Sequence, residues 1–233
     1  MIMAAGLGKR MRPLTATRPK PLVEVAGKPL IDHVFDRLAA AGVQRAVVNV
    51  HYLADTLEAH VTNRDDGIAV AISDERAQLM ETGGGLVQAR GLLGDDPVLV
   101  INSDNLWFDG PVDTLKLLAS RWDDATMDAL LLVVPYARAN NHRGQGDFRI
   151  GADGRIIARR KAATVAPFVY TGIQIVSHRL LRDPPAEAAF STMVFWERAI
   201  AEGRLYGMVH QGLWFDVGTP GAVKQTEAML ADG

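Results

Sequence analysis

The chain has 233 residues, 48% of them hydrophobic, and a formal net charge of −2. This length predicts one large α/β domain, or one domain with a small subdomain. The near-zero charge argues against a general nucleic-acid-binding protein, and the lack of cysteine excludes disulfides, thiolate metal sites and a cysteine nucleophile. No apolar run approaches the length of a membrane span or a signal peptide, so we expect a cytoplasmic protein without membrane contact.

In the first part of the chain, apolar runs alternate with stretches of helical periodicity. The predicted strands and helices, in chain order, are a strand at 1–4, a helix at 29–42, a strand at 45–51, a helix at 53–61, a strand at 68–73, a helix at 85–93, a strand at 97–102, a helix at 112–121 and a strand at 129–135. This alternation predicts a mostly parallel, Rossmann-like sheet with helices on both faces.

After residue 140 the pattern changes to shorter elements. Strands are predicted around 147–150, 155–159 and 168–176, helices at 179–183 and 191–202, strands at 205–210 and 214–217, and a closing helix at 219–230. We interpret this part as a small lobe on the same sheet. The prediction is therefore a single domain, 1–233, with halves at 1–135 and 136–233.

A glycine-rich segment near the N-terminus carries the clearest chemical signal. An apolar run ends at Gly6 and Gly8, and residues 9–28 then contain six basic residues and one acidic residue. Because glycine has no Cβ, backbone N–H groups can approach a phosphate closely there, and cations after the turn can neutralise it. The segment predicts a nucleoside triphosphate site. A surface loop with solvated charges would not explain this order of glycines and cations.

Two common phosphate motifs fail here. A Walker A loop needs Ser or Thr after Gly8-Lys9, where Arg10 stands, and a dinucleotide fingerprint needs a third glycine where Met11 stands. The order Ala-Ala-Gly-x-Gly-x-Arg-Met-x-Pro-Leu-Thr, followed by Pro-Lys-Pro-Leu and Gly-Lys-Pro, resembles that of the sugar-phosphate nucleotidyltransferases. The resemblance implies a GT-A-like nucleotidyltransferase fold, with 1–135 binding the nucleotide and 136–233 the sugar phosphate. Related enzymes often carry a C-terminal β-helix, and we expect none in this chain.

Two aspartates follow predicted strands. Asp104 comes just after the strand predicted at 97–102, and Asp216 lies near the end of the strand predicted at 214–217. Ligands bind beyond the carboxyl ends of strands in open α/β sheets, and paired carboxylates suit Mg²⁺. An N-cap or turn role is the alternative for each aspartate alone. Both match the metal-binding aspartates of the resembled family, which implies Mg²⁺ as the cofactor.

The resemblance also implies roles for residues around the nucleotide. Gly6, Gly8 and Lys9 would hold the triphosphate, Arg10 would stabilise the departing pyrophosphate, and Lys20 would bridge the two reacting phosphates. Glu81, Gly83 and Gly84 would contact the base and ribose, while Gly85 is assigned to turn geometry before a helix. Asn49 and Asn102, at strand ends, are candidates for hydrogen bonds to the ligand or for Asx turns.

The loop at 140–148 bears on the acceptor. Its Gly146-Asp147-Phe148 ending is similar to a loop in the N-acetylmuramic acid 1-phosphate uridylyltransferase branch, where the aspartate meets the acceptor sugar. Tyr170 and Thr171 resemble the opposite wall of the sugar pocket, although a buried core tyrosine is nearly as well supported. Two cationic groups are candidates for an acceptor carboxylate: His142 with Arg143, and 159–161.

The expected partners are therefore a nucleoside triphosphate and a sugar 1-phosphate, with UTP and N-acetylmuramic acid α-1-phosphate favoured, in a monomer or homodimer. A mannose 1-phosphate guanylyltransferase shares nearly every N-terminal motif and stays open. A non-catalytic nucleotide-sensing module is a lesser alternative, because it predicts loss of a metal aspartate or of the Arg10 and Lys20 pair. No two histidines have the sequence spacing typical of zinc ligands, so we expect no zinc site.

Overall fold

The protein is described by a computed structural model that covers residues 1–94 and 97–231. Its strands in chain order are β1 (Ile2–Met3), β2 (Glu24–Val25), β3 (Lys28–Pro29), β4 (Arg45–Val50), β5 (Ala69–Asp74), β6 (Val98–Asn102), β7 (Asn105–Phe108), β8 (Ala129–Pro135), β9 (Ala139–Asn140), β10 (Phe148–Ile150), β11 (Ile156–Arg159), β12 (Phe168–Val176), β13 (Leu205–Val209) and β14 (Leu213–Asp216). The α-helices are α1 (Leu30–Ala41), α2 (Ala54–Thr62), α3 (Glu81–Ala89), α4 (Thr114–Ser120), α5 (Met193–Ala201) and α6 (Pro220–Ala231).

Among the residues that the structure describes, nine strands form one central sheet. The order β11-β10-β12-β6-β1-β4-β5 includes a parallel part, β6-β1-β4-β5, while β8 pairs with β12 and with β13 beside it. Strand β12 is antiparallel to β6, β8 and β10, so the sheet becomes mixed where the second half of the chain joins it. The predicted α/β class, with a mostly parallel sheet in the first half, is confirmed.

Helices cover both faces of this sheet because the strand side chains alternate. Val48 and Val50 pack in one hydrophobic cluster with α1 side chains such as Phe35, whereas Val47 packs in the other cluster with α3 and α5. Successive side chains of a strand point to opposite faces, so a buried parallel strand supplies both cores. Among the described residues, no helix combines the length and the apolar character that a membrane span needs.

Local sequence signals set the first helix. Pro29 is the N-cap residue of α1, and Gly42 ends the helix in the left-handed conformation, with φ 86°. The Gly42 N–H donates to Ala39 O at 2.9 Å, and the next N–H, of Val43, donates to Leu38 O at 2.9 Å. Glycine adopts this conformation without the steric penalty of a Cβ atom. The helix predicted at 29–42 is confirmed.

A second, three-stranded sheet differs from the prediction. Strand β14 pairs antiparallel with β7 and parallel with β9, away from the central sheet. Strand β7 begins at Asn105, directly after Asp104, where the sequence analysis ended its strand. The interpretation that the whole second half lies on one sheet is wrong for β14, so Asp216 reaches the site from the small sheet.

The triple glycine also differs from the prediction. Helix α3 begins at Glu81, so Gly83, Gly84 and Gly85 lie inside its first turns and not in a loop before it. Both the Gly83 and Gly84 N–H groups donate to Phe190 O, at 2.8 and 3.1 Å. A Cβ on Gly84 would lie 2.1 Å from Ala188 O, and one on Gly85 2.8 Å from Glu75 Oε1. Close packing, and not a turn, requires these glycines.

Replacing Gly84 tests this packing. Gly84→Ala should lower the free energy of unfolding by about 1–3 kcal/mol, because the new methyl group overlaps a backbone carbonyl that cannot rotate away. The measurement is urea denaturation monitored by circular dichroism. Gly221→Ala is the matched control, since Gly221 lies in α6 with no atom within 4 Å of the added Cβ, and it should gain about 0.4–1 kcal/mol. Equal stability of the two variants would contradict the assignment.

Candidate active site

The glycine-rich loop leaves β1 with its backbone donors free. Gly8 has φ 60° and precedes a 3₁₀ turn, Lys9–Met11, that is anchored by the fully buried Met11 side chain. The Thr15 hydroxyl donates to Gly8 O at 2.8 Å and fixes the loop. Within the described chain, the N–H groups of Gly6, Leu7 and Gly8 donate to no protein acceptor. Consecutive free N–H groups of this kind form an anion-binding concavity.

Lys20 and Asp104 form an ion pair beside this loop. Lys20 begins a 3₁₀ turn, Lys20–Leu22, and its Nζ contacts Asp104 Oδ2, with both side chains mostly shielded from solvent. The pair lines a cleft of about 360 Å³, here called the loop cleft. The other residues of the loop cleft are Met3, Ala4, Ala5, Gly6, Pro21, Asn49, Leu79, Glu81, Thr82, Asn102, Ser103 and Ser191.

The β7–β14 pairing brings Asp216 to the same place. Asn105 and Asp216 are direct partners in this antiparallel ladder, so Asp104 lies one residue from the partner of Asp216. Directly opposed residues in such a ladder have Cα atoms about 4.5–5.5 Å apart. Lys20, in contact with Asp104, also lowers the pKa of Asp216 by its charge. Strand register therefore places the backbones of the two predicted metal ligands close together.

Asp216 lies in a second cleft of about 360 Å³, here called the Asp216 cleft. Burial alone would raise the pKa of Asp216, but His142 and the positive charges of Arg10 and Lys20 lower it below its ordinary value. His142 Nδ1 is 3.7 Å from Asp216 Oδ2. A Cβ on Gly218 would lie 2.9 Å from Asp216 Oδ1 and 3.3 Å from the Arg10 guanidinium, so both groups lie beside Gly218.

The paired carboxylates suit one class of metal ion. Mg²⁺ keeps several water ligands and is held by one or two carboxylates together with substrate phosphates. The part of the chain that the structure describes contains no cluster of three or more His, Cys, Asp or Glu side chains that could hold a metal. Two carboxylates beside free N–H groups fit Mg²⁺ shared with a phosphate, and they do not fit a closed zinc site.

Three predicted nucleotide contacts bond to other parts of the protein. Asn49 is 2% exposed; its Oδ1 accepts from Ala4 N at 2.6 Å and its Nδ2 donates to Glu75 Oε1 at 2.7 Å. Its amide therefore positions the loop from behind. Gly83 and Gly84 have their N–H groups bound to Phe190 O, so these backbone donors are engaged within the protein.

The loop cleft has other walls that the sequence did not indicate. Leu79, Thr82 and Ser191 line it, and Ser191 comes from the second half of the chain. Glu81 lines it with φ 59°, an uncommon conformation for a residue with a Cβ, and Asn102 lines it with a half-buried side chain. Ser191 could not have been found from its local sequence, because only tertiary packing of 188–191 on α3 places it there.

The residues predicted to hold the acceptor sugar separate into three environments. Thr171 is fully buried, with its hydroxyl donating to Leu132 O at 2.8 Å, so its predicted contact with the sugar phosphate is corrected. Asp147 Oδ2 accepts from Tyr170 N at 2.8 Å and lines neither cleft, so it positions β12 at Tyr170. Burial and then the charge of Asp104 raise the pKa of the Tyr170 phenol, which stays protonated.

Tyr170 lines a small cavity of about 50 Å³ that adjoins the loop cleft and is here called the side pocket. Four residues line both spaces: Met3, Thr82, Asn102 and Ser191. The Tyr170 ring stands edge-on to Trp196, with ring centroids 4.9 Å apart. This arrangement supports the prediction that Tyr170 lines a pocket and also explains its core-like burial.

Comparison with known proteins places these features in context. The sequence profile described as Nucleotidyl transferase matches residues 1–232. The N-acetylmuramate alpha-1-phosphate uridylyltransferase of Caulobacter vibrioides is 46% identical over 235 residues, covering 100% of this chain and 96% of that protein. The Neisseria meningitidis protein of the same name is 33% identical over 230 residues, covering 98% of this chain and 96% of that protein.

One further sequence relative and one solved structure are also similar to this chain. The mannose-1-phosphate guanylyltransferase catalytic subunit beta of Danio rerio is 33% identical over 227 residues, 94% of this chain but 61% of that protein. The crystal structure of HddC from Yersinia pseudotuberculosis superposes with a TM-score of 0.78 at 23% identity, covering 98% of this chain and 97% of that one. The resemblance stated from the motifs and the GT-A-like fold class are confirmed.

The Asp216 environment predicts a measurable titration. Because the folded-state pKa of Asp216 is below its unfolded-state value, its carboxylate contributes stability that is complete above about pH 4 and is lost as the pH falls through the folded-state pKa. His142→Ala removes one cause of the lowering, so the pKa of Asp216 should rise.

Carboxyl ¹³C NMR titration of the metal-free protein checks this shift. The Asp55 carboxyl carbon is an internal control, since its side chain is 94% exposed and pairs with Arg76. An Asp216 titration that stays unchanged in His142→Ala would show that His142 does not act on this carboxylate.

Proposed function

The chain belongs to the nucleotidyl transferase family, and we propose that it transfers a uridylyl group from UTP to N-acetylmuramic acid α-1-phosphate. The observation that carries the reaction is the meeting of Lys20, Asp104, Arg10 and Asp216 beside the free N–H groups of the glycine loop. The uridylyl choice is supported by the 46% identity with the Caulobacter vibrioides protein over nearly the whole of both chains.

The proposed chemistry is an in-line displacement at the α-phosphorus. A phosphate oxygen of the sugar 1-phosphate forms a new P–O bond, and the bond from the α-phosphorus to the oxygen shared with the β-phosphorus breaks. Pyrophosphate leaves with that electron pair. The attacking oxygen is already anionic, so no general base is required, and catalysis consists of positioning and charge neutralisation.

Each charged residue has a task in this proposal. Backbone N–H groups from Gly6 to Gly8 bind the triphosphate, with Lys9 beside them. Lys20 lies between the donor and acceptor phosphates and lowers their mutual repulsion, and Arg10 stabilises the departing pyrophosphate. Asp104 and Asp216 would hold Mg²⁺, which supplies charge neutralisation and alignment at the reacting phosphate when bound.

The two cationic groups differ in whether their arginines already have partners within the protein, and this decides which group could bind the acceptor carboxylate. Arg143 is exposed, lines the Asp216 cleft and has no ion-pair partner in the described residues. Arg159, in contrast, pairs with Glu197, and Arg160 donates to Gln145 Oε1 at 3.3 Å and to nearby carbonyls. We therefore assign the lactyl carboxylate of N-acetylmuramic acid to Arg143. The product would serve cell-wall recycling in the cytoplasm, where UTP is made.

The two alternative functions require different substrates and site residues. A mannose 1-phosphate guanylyltransferase would use GTP and an acceptor without a carboxylate, and it is supported by a relative of which this chain spans only 61%. A non-catalytic nucleotide-sensing module would have no need for both aspartates together with Lys20 and Arg10, all of which are present at the site.

Substitution of each aspartate tests the metal assignment. Asp104→Asn and Asp216→Asn should each reduce kcat at least about a hundredfold, because each removes part of the charge that holds the metal on the reacting phosphate. Mn²⁺ binding measured by electron paramagnetic resonance should weaken in parallel. Asp55→Asn, at a highly exposed position, is the matched control and should change neither quantity. Near-normal turnover in either site variant with Mg²⁺ would remove that aspartate from the assignment.

A substrate panel tests the choice of nucleotide and sugar. Pyrophosphate release is measured with UTP and GTP against the 1-phosphates of N-acetylmuramic acid, N-acetylglucosamine and mannose. UTP with the muramic acceptor should give the highest kcat/KM, and Arg143→Ala should lose about ten- to a hundredfold of the preference over N-acetylglucosamine, because one charge-assisted contact is worth about 1.5–3 kcal/mol.

Arg160→Ala is the control for this panel and should keep the preference. Equal efficiency of the muramic and glucosamine acceptors in the parent enzyme would reject the muramic assignment. Higher efficiency with GTP and mannose 1-phosphate would establish the guanylyltransferase instead.

A further inference from the structure

The side pocket is unusual in having a buried amide whose orientation is fixed. Gln174 of β12 is 3% exposed, and its Oε1 accepts from the Trp196 indole Nε1 at 3.0 Å. Because the oxygen is held by the indole, the Nε2 group must point the other way. Throughout residues 1–94 and 97–231, no protein atom accepts a hydrogen bond from Gln174 Nε2. This N–H group belongs to a side chain that lines the side pocket, so a water molecule or a ligand atom in the pocket can accept its hydrogen bond.

The rest of the pocket lining is uncharged and combines hydrophobic with polar side chains. Met3, Leu86, Val100 and Trp196 supply its hydrophobic walls, and no Asp, Glu, Lys, Arg or His side chain lines it. The protonated Tyr170 completes the wall. Such a space favours a small neutral group with one hydrogen-bond acceptor, and it disfavours an ammonium or a carboxylate, which would lose hydration without gaining an opposite charge.

The volume of the side pocket and its position beside the loop cleft limit which chemical groups could occupy it. The volume of about 50 Å³ is larger than the roughly 30 Å³ that one water occupies in the liquid, but it is too small for a nucleobase or a sugar ring. The pocket adjoins the loop cleft at Asn102 and Ser191, close enough to Asp104 for that charge to act on Tyr170. A substituent of a sugar whose phosphate lies at Lys20 and Asp104 would therefore enter it.

We infer that the side pocket receives the acyl group of an N-acyl amino sugar 1-phosphate, with Gln174 Nε2 donating to the acyl oxygen. The acyl methyl group then packs against Met3, Leu86 and Val100. This inference rests on the proposed function and adds to it a specificity determinant: the enzyme reads the acylated nitrogen of the acceptor at Gln174, separately from any carboxylate read at Arg143.

The first test compares acceptors that differ only in the acyl group. kcat/KM is measured with UTP for N-acetylmuramic acid 1-phosphate and for muramic acid 1-phosphate, whose free amine is protonated. The acetylated acceptor should be used at least about tenfold more efficiently, since the buried donor is otherwise unpaired. Equal use of the two acceptors overturns the inference while leaving the transferase reaction in place, whereas no turnover of either with any nucleotide rejects the proposed function and the inference together.

The second test reverses the preference. Gln174→Glu keeps the oxygen that accepts from Trp196 but replaces the N–H donor by a negative charge, so the free-amine acceptor should gain relative to the acetylated one. A merely structural role of Gln174 would lower both efficiencies equally and would not change their ratio. Gln225→Glu, at an exposed position of α6, introduces the same charge as a matched control and should leave the ratio unchanged.

A further variant, Val100→Ala, tests the pocket independently in case Gln174→Glu does not fold. Val100→Ala enlarges the apolar wall without touching Gln174 and should raise the relative kcat/KM of an N-propionyl acceptor over the N-acetyl acceptor. An unchanged ratio in both Gln174→Glu and Val100→Ala overturns the inference, whichever of the variants is less stable.

Discussion

The antiparallel pairing of β7 with β14 is the constraint on which the site depends. Asp104 directly precedes β7 and Asp216 ends β14, and the register between Asn105 and Asp216 places the backbones of these two residues close together. A shift of this register by one residue would turn the Asp216 side chain to the opposite face of the small sheet. Lys20 pairs with Asp104, and the positive charges of Arg10 and Lys20 act on Asp216, so two cations offset the two carboxylates.

Behind this charged centre lies a framework of buried hydrogen bonds. Glu75 is 1% exposed and accepts from Asn49 Nδ2 and from the Met80 N–H, while Asn49 accepts from Ala4. One buried carboxylate thus connects the glycine loop to the start of α3. Buried polar groups are costly unless they are bonded, so this connection holds the two segments in a fixed relation. The positions of the loop donors and of the cleft wall at Glu81 are coupled through it.

The elements that could be predicted from the sequence are those with local causes. Helix α1 has its proline and glycine at the ends, and Asp104 follows an apolar strand whose burial is evident from composition. Asn49, Thr171 and the glycines of α3 could not be assigned, because their partners come from distant segments. The need for glycine at 84 arises from the carbonyl of Ala188, and a polar side chain gives no local sign of whether its partner is a ligand or a backbone group.

The contact between α3 and the segment around Phe190 has a consequence for how the chain can be divided. Phe190 O caps the amides of Gly83 and Gly84, and Ser191 beside it forms a wall of the loop cleft. A fragment ending at residue 135 would retain the glycine loop, Lys20 and Asp104 but would lack that wall and expose the glycine face of α3. Separate expression of the two halves would therefore yield an N-terminal fragment with an open-sided loop cleft, and recovery of a closed cleft would require the halves to reassociate through this contact.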